Sequence, residues 1–315
     1  MKVLSLFDGM SCGRLALERA GIPVEFYYAS EVDKYAIQVS QKNYPDIIHV
    51  GDICDLKGCD FKDTDLVIGG SPCQGFSFAG KQLAFDDPRS KLFFEYIRLL
   101  GEIKPKYFLL ENVKMKREYQ NIISQYLKVE PVEINSSLVS AQNRKRLYWT
   151  NIPNLTQPVD KRIVLRDVLE SGVVDRDKSY CIDANYYRGG NLKRYFDYGS
   201  RQLVFTERRT AEAKAIRREY SKAGVDFSPR RAKELVPRTD NKCNTLTTSL
   251  TCEHIVLDET LNFRKLTPVE CERLQTLPDN YTAGVSNHQR YKMLGNGWTV
   301  DVLAHIFRGL NEIQT

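Results

Sequence analysis

The sequence predicts an α/β protein, with a parallel sheet covered by helices on both faces and a second, smaller, irregular domain. Three observations predict it. Short apolar runs alternate with stretches of helical spacing through the first 150 residues. Those runs end in glycine or in an acid. After about Ile152 both patterns give way to short, polar, turn-rich segments. Strands buried on both faces read as near-continuous apolar runs, as they must in a parallel sheet with helices on each side.

Taken in order, residues 2–7 form the first apolar run. Glycines at 9 and 13 then turn the chain into a helical stretch at 14–20, which stops at Gly21. Residues 25–30 read as the second strand, 34–43 as the second helix, and 47–50 as a third strand ending at Gly51-Asp52. The fourth strand, 66–68, ends at Gly69-Gly70; a helix follows at 92–103; the fifth strand, 107–110, ends at Glu111-Asn112. Residues 146–149 read as a late strand. Beyond Ile152 the turns at Gly172, Gly189-Gly190 and Gly199 dominate, and only 206–223 has helical spacing. A helix at 266–274 has Thr267 as its cap and Pro268 at its first position, and an amphipathic helix closes the chain at 300–310. The expected domains are therefore 1–152, 153–262, and a return to the first domain at 263–315.

The composition, 42% hydrophobic and 27% charged over 315 residues, is that of a globular protein long enough to bury a core. No stretch approaches the ~20 apolar residues of a membrane-spanning helix. Asp8 is an acid too early for a signal peptide, so a cytoplasmic protein is expected. The eight cysteines include no Cys-x-x-Cys pair, so reduced thiols are expected. Histidines 49, 254, 288 and 305 share no metal-ligand spacing, and no metal is expected. The net charge of +6 is unevenly spread: residues 176–238 carry a net +8, leaving the rest at −2. A basic segment beside a near-neutral body is the footprint of a nucleic-acid binder, or else a solvated charged face.

In an open α/β sheet, ligands lie beyond the carboxyl ends of the strands. The first strand delivers Phe7, Asp8 and Gly9 into a glycine turn and a helix N-terminus, which suits a ligand approached by backbone. Glu31 ends the second strand, where an acid accepts from ribose hydroxyls, and Asp52 ends the third, where an acid can accept from an adenine amino group. Together they favour a cofactor containing adenosine. The fourth strand ends in Gly70, Ser71, Pro72 and Cys73. A thiol in a Pro/Gly turn at a sheet's carboxyl edge is placed for reaction rather than for packing. Glu111 ends the fifth strand and should lie beside Cys73.

These motifs resemble the DNA (cytosine-5)-methyltransferase family. Pro72-Cys73-Gln74 and Glu111-Asn112-Val113 carry the resemblance. The turn from Phe7 to Gly13 is similar to the family's Phe-x-Gly-x-Gly element, and the run from Phe76 to Phe94 to its catalytic loop and following helix. Gln142-Asn143-Arg144-Lys145-Arg146 resembles the Gln-x-Arg-x-Arg element. Arg264 to Glu270 resembles the Arg-x-Leu-Thr-x-x-Glu helix, and Gly295-Asn296-Gly297-Trp298 the closing Gly-Asn element. Asp8, Met10, Ser11 and Cys12 are not the commonest loop residues, and Gly297 stands where the family often has Ser or Ala.

The resemblance implies a Rossmann-like sheet that binds S-adenosylmethionine, and double-stranded DNA as partner. It implies catalysis by Cys73 as nucleophile at carbon 6 of a flipped-out cytosine and by Glu111 at N3. Arg144 and Arg146 would pair with the base carbonyl or Glu111, or bind phosphate. It implies a cofactor pocket lined by Phe7, Gly9, Gly13, Glu31, Asp52, Ile53, Gly70, Pro72, Leu92, Asn296 and Trp298. Ser77, Lys81, Arg89 and Lys91 would belong to a lid over the base. The basic segment would be a target-recognition domain, with Arg208, Arg209, Arg230, Arg231 and Thr245 at the DNA. A monomeric bacterial or phage enzyme of a restriction-modification system is the expected setting. The alternatives are an RNA cytosine-5 methyltransferase acting on tRNA, a dinucleotide-dependent dehydrogenase, and a silent DNA-binding protein on the same fold.

Overall fold

The computed structural model describes residues 1–71, 91–199, 201–206, 211–224 and 262–313. The chain opens with β1 (Lys2–Leu6), α1 (Cys12–Arg19), β2 (Phe26–Ser30), α2 (Lys34–Asn43), β3 (Ile48–Gly51) and β4 (Leu66–Gly69). It continues through α3 (Lys91–Ile103), β5 (Tyr107–Val113), α4 (Arg117–Leu127), β6 (Val132–Asn135) and β7 (Lys145–Thr150). Then come α5 (Leu192–Tyr198), β8 (Leu203–Thr206), α6 (Ala211–Lys222), β9 (Asn262–Lys265), α7 (Pro268–Leu274), α8 (Asn287–Asn296) and α9 (Val300–Phe307).

Among the described residues, seven strands form one sheet in the order β3-β2-β1-β4-β5-β7-β6. Neighbours from β3 to β5 are parallel. The order reverses beside β1, which makes a switch point at the carboxyl ends of β1 and β4. Side chains alternate between two cores, as the period of a strand requires. Val3, Leu66, Ile68 and Leu109 face the core that holds α1, α2, α8 and α9. Leu4, Leu6, Val67, Phe108 and Leu110 face the core beneath α3 and α4. The sheet is thus covered on both faces.

The sheet is not wholly parallel. β7 runs antiparallel to both β5 and β6. This pairing carries β5 past residue 110, because Glu111 stands opposite Tyr148 and Val113 opposite Arg146. Glu111 is therefore held within a paired strand and not in a loop. Thr206 ends β8, which pairs with β9, and the helix expected from 206 begins at Ala211. α7 starts at Pro268, with Thr267 and Glu270 forming a reciprocal capping box. The segment after Ile152 contributes Leu165, Val168, Ile182, Tyr186 and Val204 to the core shared with α1 and α9, and it holds a small cluster of its own at Tyr195, Leu203 and Phe205. Among the described residues no helix is long and apolar enough to cross a membrane, and no group of three His, Cys, Asp or Glu side chains is arranged to hold a metal.

Candidate active site

A cavity of about 600 Å³ opens at the carboxyl ends of β1, β2, β4 and β5. The turn after β1 is built from left-handed backbone at Phe7, Gly9 and Ser11. At Gly9 a side chain would meet no neighbour, so glycine is favoured there by φ and not by space. The freed Gly9 amide donates to Glu31 Oε2 at 2.8 Å. The amides of Val32 and Asp33 donate to the other oxygen, each at 2.8 Å. Three backbone donors fix the Glu31 carboxylate against the β1 turn, on the cavity wall. Asp52, just past β3, accepts from the Cys54 amide at 2.9 Å and lines the same cavity beside Ile53. Phe7, Leu92 and Trp298 supply apolar surface, and Gly70, Asn296 and Gly9 also line it. Gly13 does not. A Cβ there would stand 2.5 Å from Ile68 Cδ1, so its smallness lets α1 pack on the sheet.

Beneath the turn, Asp8 is buried and accepts from Ser11 Oγ at 2.5 Å and from the Tyr27 hydroxyl at 2.7 Å. Burial outweighs these contacts and raises its carboxyl to about 6. Burial also pushes the Cys12 thiol up to about 12, so this cavity-lining cysteine stays protonated and inert. Across the cavity mouth, Lys292 Nζ reaches Asp33 Oδ2 at 2.7 Å and ties α8 to the start of α2.

Glu111 is 8% exposed and gripped at both oxygens. Arg146 Nε lies 2.9 Å from Oε1, and Trp298 Nε1 donates to Oε2 at 3.0 Å. Its neighbour Asn112 donates to Ser71 O at 3.4 Å and Ser71 Oγ at 3.3 Å. That contact joins β5 to the chain that leads into Pro72 and Cys73. Both of these lie outside the described residues, as do Ser77, Lys81, Arg89, Arg208, Arg209, Arg230, Arg231 and Thr245. Lys91 opens α3 as an exposed side chain and does not line the cavity.

The two arginines expected to act together are used differently. Arg146 meets Glu111. Arg144 is 3% exposed and points its guanidinium into the protein frame. It donates to the carbonyls of Ile182 at 3.0 Å, Gly295 at 3.0 Å and Gly297 at 2.9 Å, and contacts Cys181 Sγ at 3.3 Å. Burial, then the nearby Arg146, push its guanidinium below the usual range. Arg144 therefore serves as a cross-brace of the cavity wall, and the pairing with Glu111 falls to Arg146.

Sequence reasoning missed that wall. Cys181, Ile182, Asp183 and Ala184 line the cavity, yet they carry no motif, and only the structure brings them to α8. They come so near that a Cβ on Gly295 would lie 2.1 Å from the Asp183 carbonyl carbon and 2.3 Å from the Ala184 nitrogen. Asp33 and Lys292 are further lining residues that no motif signalled, and Met10 lines the cavity from within the Phe7–Gly13 turn.

A cavity with acids at two strand ends, apolar faces between them, and a buried carboxylate at its base can hold a nucleoside-bearing ligand beside a second, polar reactant. The sequence matches the family model for C-5 cytosine-specific DNA methylase over residues 1–312. The type II methyltransferase M1.ScrFI of Lactococcus lactis subsp. cremoris is 32% identical over 337 residues, spanning 99% of this chain and 78% of that protein. The type II methyltransferase M.NlaX of Neisseria lactamica is 30% identical over 330 residues, spanning 97% and 94%. The solved structure of the Entamoeba histolytica methyltransferase EhMeth matches at a TM-score of 0.71 and 16% identity, covering 100% of this chain and 99% of that one, a likeness of fold.

Proposed function

Because the chain belongs to the C-5 cytosine-specific DNA methylases, and is a DNA cytosine-5 methyltransferase, we propose that it methylates carbon 5 of a flipped-out cytosine in a specific duplex sequence, through a covalent Cys73 adduct. The observation that carries the reading is one cavity holding Glu111, clasped by Arg146 and Trp298, together with Glu31 and Asp52 at neighbouring strand ends.

S-adenosylmethionine joins adenosine to a cationic amino acid, and the donor set suits it. Glu31 is fixed to accept from ribose hydroxyls and Asp52 stands one strand further out for adenine. Phe7, Ile53, Leu92 and Trp298 offer apolar faces to a purine. When bound, this group supplies an electrophilic methyl to carbon 5.

The chain's residues supply the rest. Carbon 5 of cytosine is a poor nucleophile, and addition of the Cys73 thiolate at carbon 6 makes it enamine-like. Negative charge then develops toward N3, where Glu111 holds a proton, with Arg146 and Trp298 keeping its carboxyl in place. Loss of the carbon 5 proton finally expels the thiolate. Glu111 is too buried to meet a stacked base, which supports extrusion of the target from the duplex. Ser77, Lys81, Arg89 and Lys91 are proposed to cover it. Residues 153–262 are proposed as the recognition domain between two parts of the catalytic domain, 1–152 and 263–315, with Arg208, Arg209, Arg230, Arg231 and Thr245 at the DNA.

The test is bisulfite sequencing of a plasmid from cells expressing the protein, beside an in vitro assay on duplex DNA and transfer RNA. Methylated cytosines in one motif are expected, with loss of methylation but not of DNA binding in Cys73→Ala. A 5-fluorocytosine duplex should trap the wild type covalently, because fluorine blocks the final elimination. Methylation that persists in Cys73→Ala, or that occurs on transfer RNA alone, refutes the reading.

A further inference from the structure

We propose that Trp298 is the positioning residue for Glu111, its indole N–H fixing the carboxylate while its ring packs between Gly70, just past β4, and Gly13 of α1. This rests on the reading of Glu111 as the group that acts at N3.

A carboxylate held at one oxygen can still swing about that contact. Glu111 is held at both, by Arg146 at Oε1 and Trp298 at Oε2, so the plane of the carboxyl is set. The indole cannot drift. Its residue is 8% exposed and sits between two anchored neighbours, the Gly297 carbonyl and the Thr299 hydroxyl. On one side, the Gly297 carbonyl accepts from Arg144 at 2.9 Å and Gln275 at 3.0 Å. On the other, the Thr299 hydroxyl donates to Gln275 Oε1 at 2.8 Å and accepts from Ser136 at 2.9 Å.

The ring also packs between two elements, lying against the cavity wall at Gly70 and against α1 at Gly13. A Cβ on Gly70, where β4 leads toward Cys73, would be 3.0 Å from Nε1, and one on Gly13, in α1, would be 3.4 Å from Cζ3. The missing side chains leave the indole its room between these elements. A ligand that fills the cavity against Trp298 therefore presses on the group that orients Glu111.

The chain has two tryptophans, which makes the contact readable. Trp149 is fully buried and donates to Ser124 Oγ at 3.0 Å, so it gives a constant background. The difference in emission between wild type and Trp298→Phe is the signal of Trp298. That signal should change in the Glu111→Ala variant and on addition of S-adenosylhomocysteine.

Trp298→Phe keeps an aromatic ring and removes the donor. Its kcat should fall about ten- to a hundredfold, the size of one charge-assisted hydrogen bond, while S-adenosylhomocysteine affinity stays within about threefold. An unchanged kcat overturns the proposal. So does a matched loss of affinity and thermal midpoint, which would mark a packing role only, and so does a Trp298 signal indifferent to Glu111→Ala. If the wild type does not methylate DNA, the functional reading fails, while the emission comparison still tests the contact.

Discussion

Replacing Arg144 by Met separates bracing from chemistry. The substitution keeps an unbranched apolar stem and removes the guanidinium with every donor. Ile182 and Gly295 lose their guanidinium partner, Ile182 keeping only the Cys181 thiol at 3.5 Å, whereas Gly297 still accepts from Gln275. Two buried acceptors left without a strong donor cost about 1–3 kcal/mol each, or roughly 2–6 kcal/mol together. Removing a buried guanidinium that touches no carboxylate returns part of this, since its burial already disfavours the charge. A net loss of about 2–4 kcal/mol follows. For a chain of this size that lowers the thermal midpoint by roughly 3–6 °C. Thermal unfolding followed by circular dichroism reads it directly, with Arg144→Lys expected between the two because one ammonium cannot span the divergent carbonyls. A midpoint within about 1 °C of wild type, with catalysis lost, would show that Arg144 acts on the substrate and that the bracing account is wrong.

Other perturbations probe the remaining parts of the site. Glu111→Gln keeps the shape of the side chain but cannot move a proton to N3, so single-turnover rates should fall by about 10²–10⁴-fold with cofactor affinity little altered. Equal rates would assign activation of N3 elsewhere. Asp8 is raised from 3.8 to about 6 chiefly by burial, so its contribution to stability is full below about 3.8 and is lost as pH rises through about 6. Asp8→Asn should therefore gain on wild type, by on the order of 2–3 kcal/mol, between about pH 4 and pH 7 in denaturant titrations; an offset independent of pH contradicts this. DNA affinity should fall steeply with salt, and neutralising a phosphate-contacting pair such as Arg208-Arg209 should flatten the slope by about 0.9 for each phosphate that the variant no longer neutralises. An unchanged slope after neutralising the basic residues of 176–238 would move the DNA grip to another surface.

The strands of the first half were legible because each is an apolar run closed by glycine or acid, and Glu31, Asp52 and Glu111 follow from where such runs stop. The antiparallel β7 was not legible as such, since residues 146–149 read the same in either direction. α4 and β6 went unread. The amphipathic pattern of Arg117–Leu127 is broken by polar Gln120 and Ser124 on the buried side, and Val132–Asn135 alternates too briefly to stand out. The different duties of Arg144 and Arg146 could not be told from a Gln-x-Arg-x-Arg string, because Arg144 stands just before β7 and Arg146 within it, and their partners at 182, 295 and 297 and at Glu111 are brought to them only by tertiary contacts. The wall at 181–184 was invisible for a related reason. Its place follows from tertiary contacts with α8, more than 100 residues away.

The close approach at Gly295 settles what kind of information that wall needs. A side chain cannot come between α8 and the passing strand of backbone, so the two are matched main chain to main chain. Such a contact is blind to the letters at Asp183 and Ala184 and sensitive only to the path they follow. If residues 153–262 choose the target, as proposed above, that segment can be rewritten residue by residue while the cavity keeps its outline. On that reading, one atom-sized gap at a single glycine would let choice of sequence and chemistry of transfer change independently.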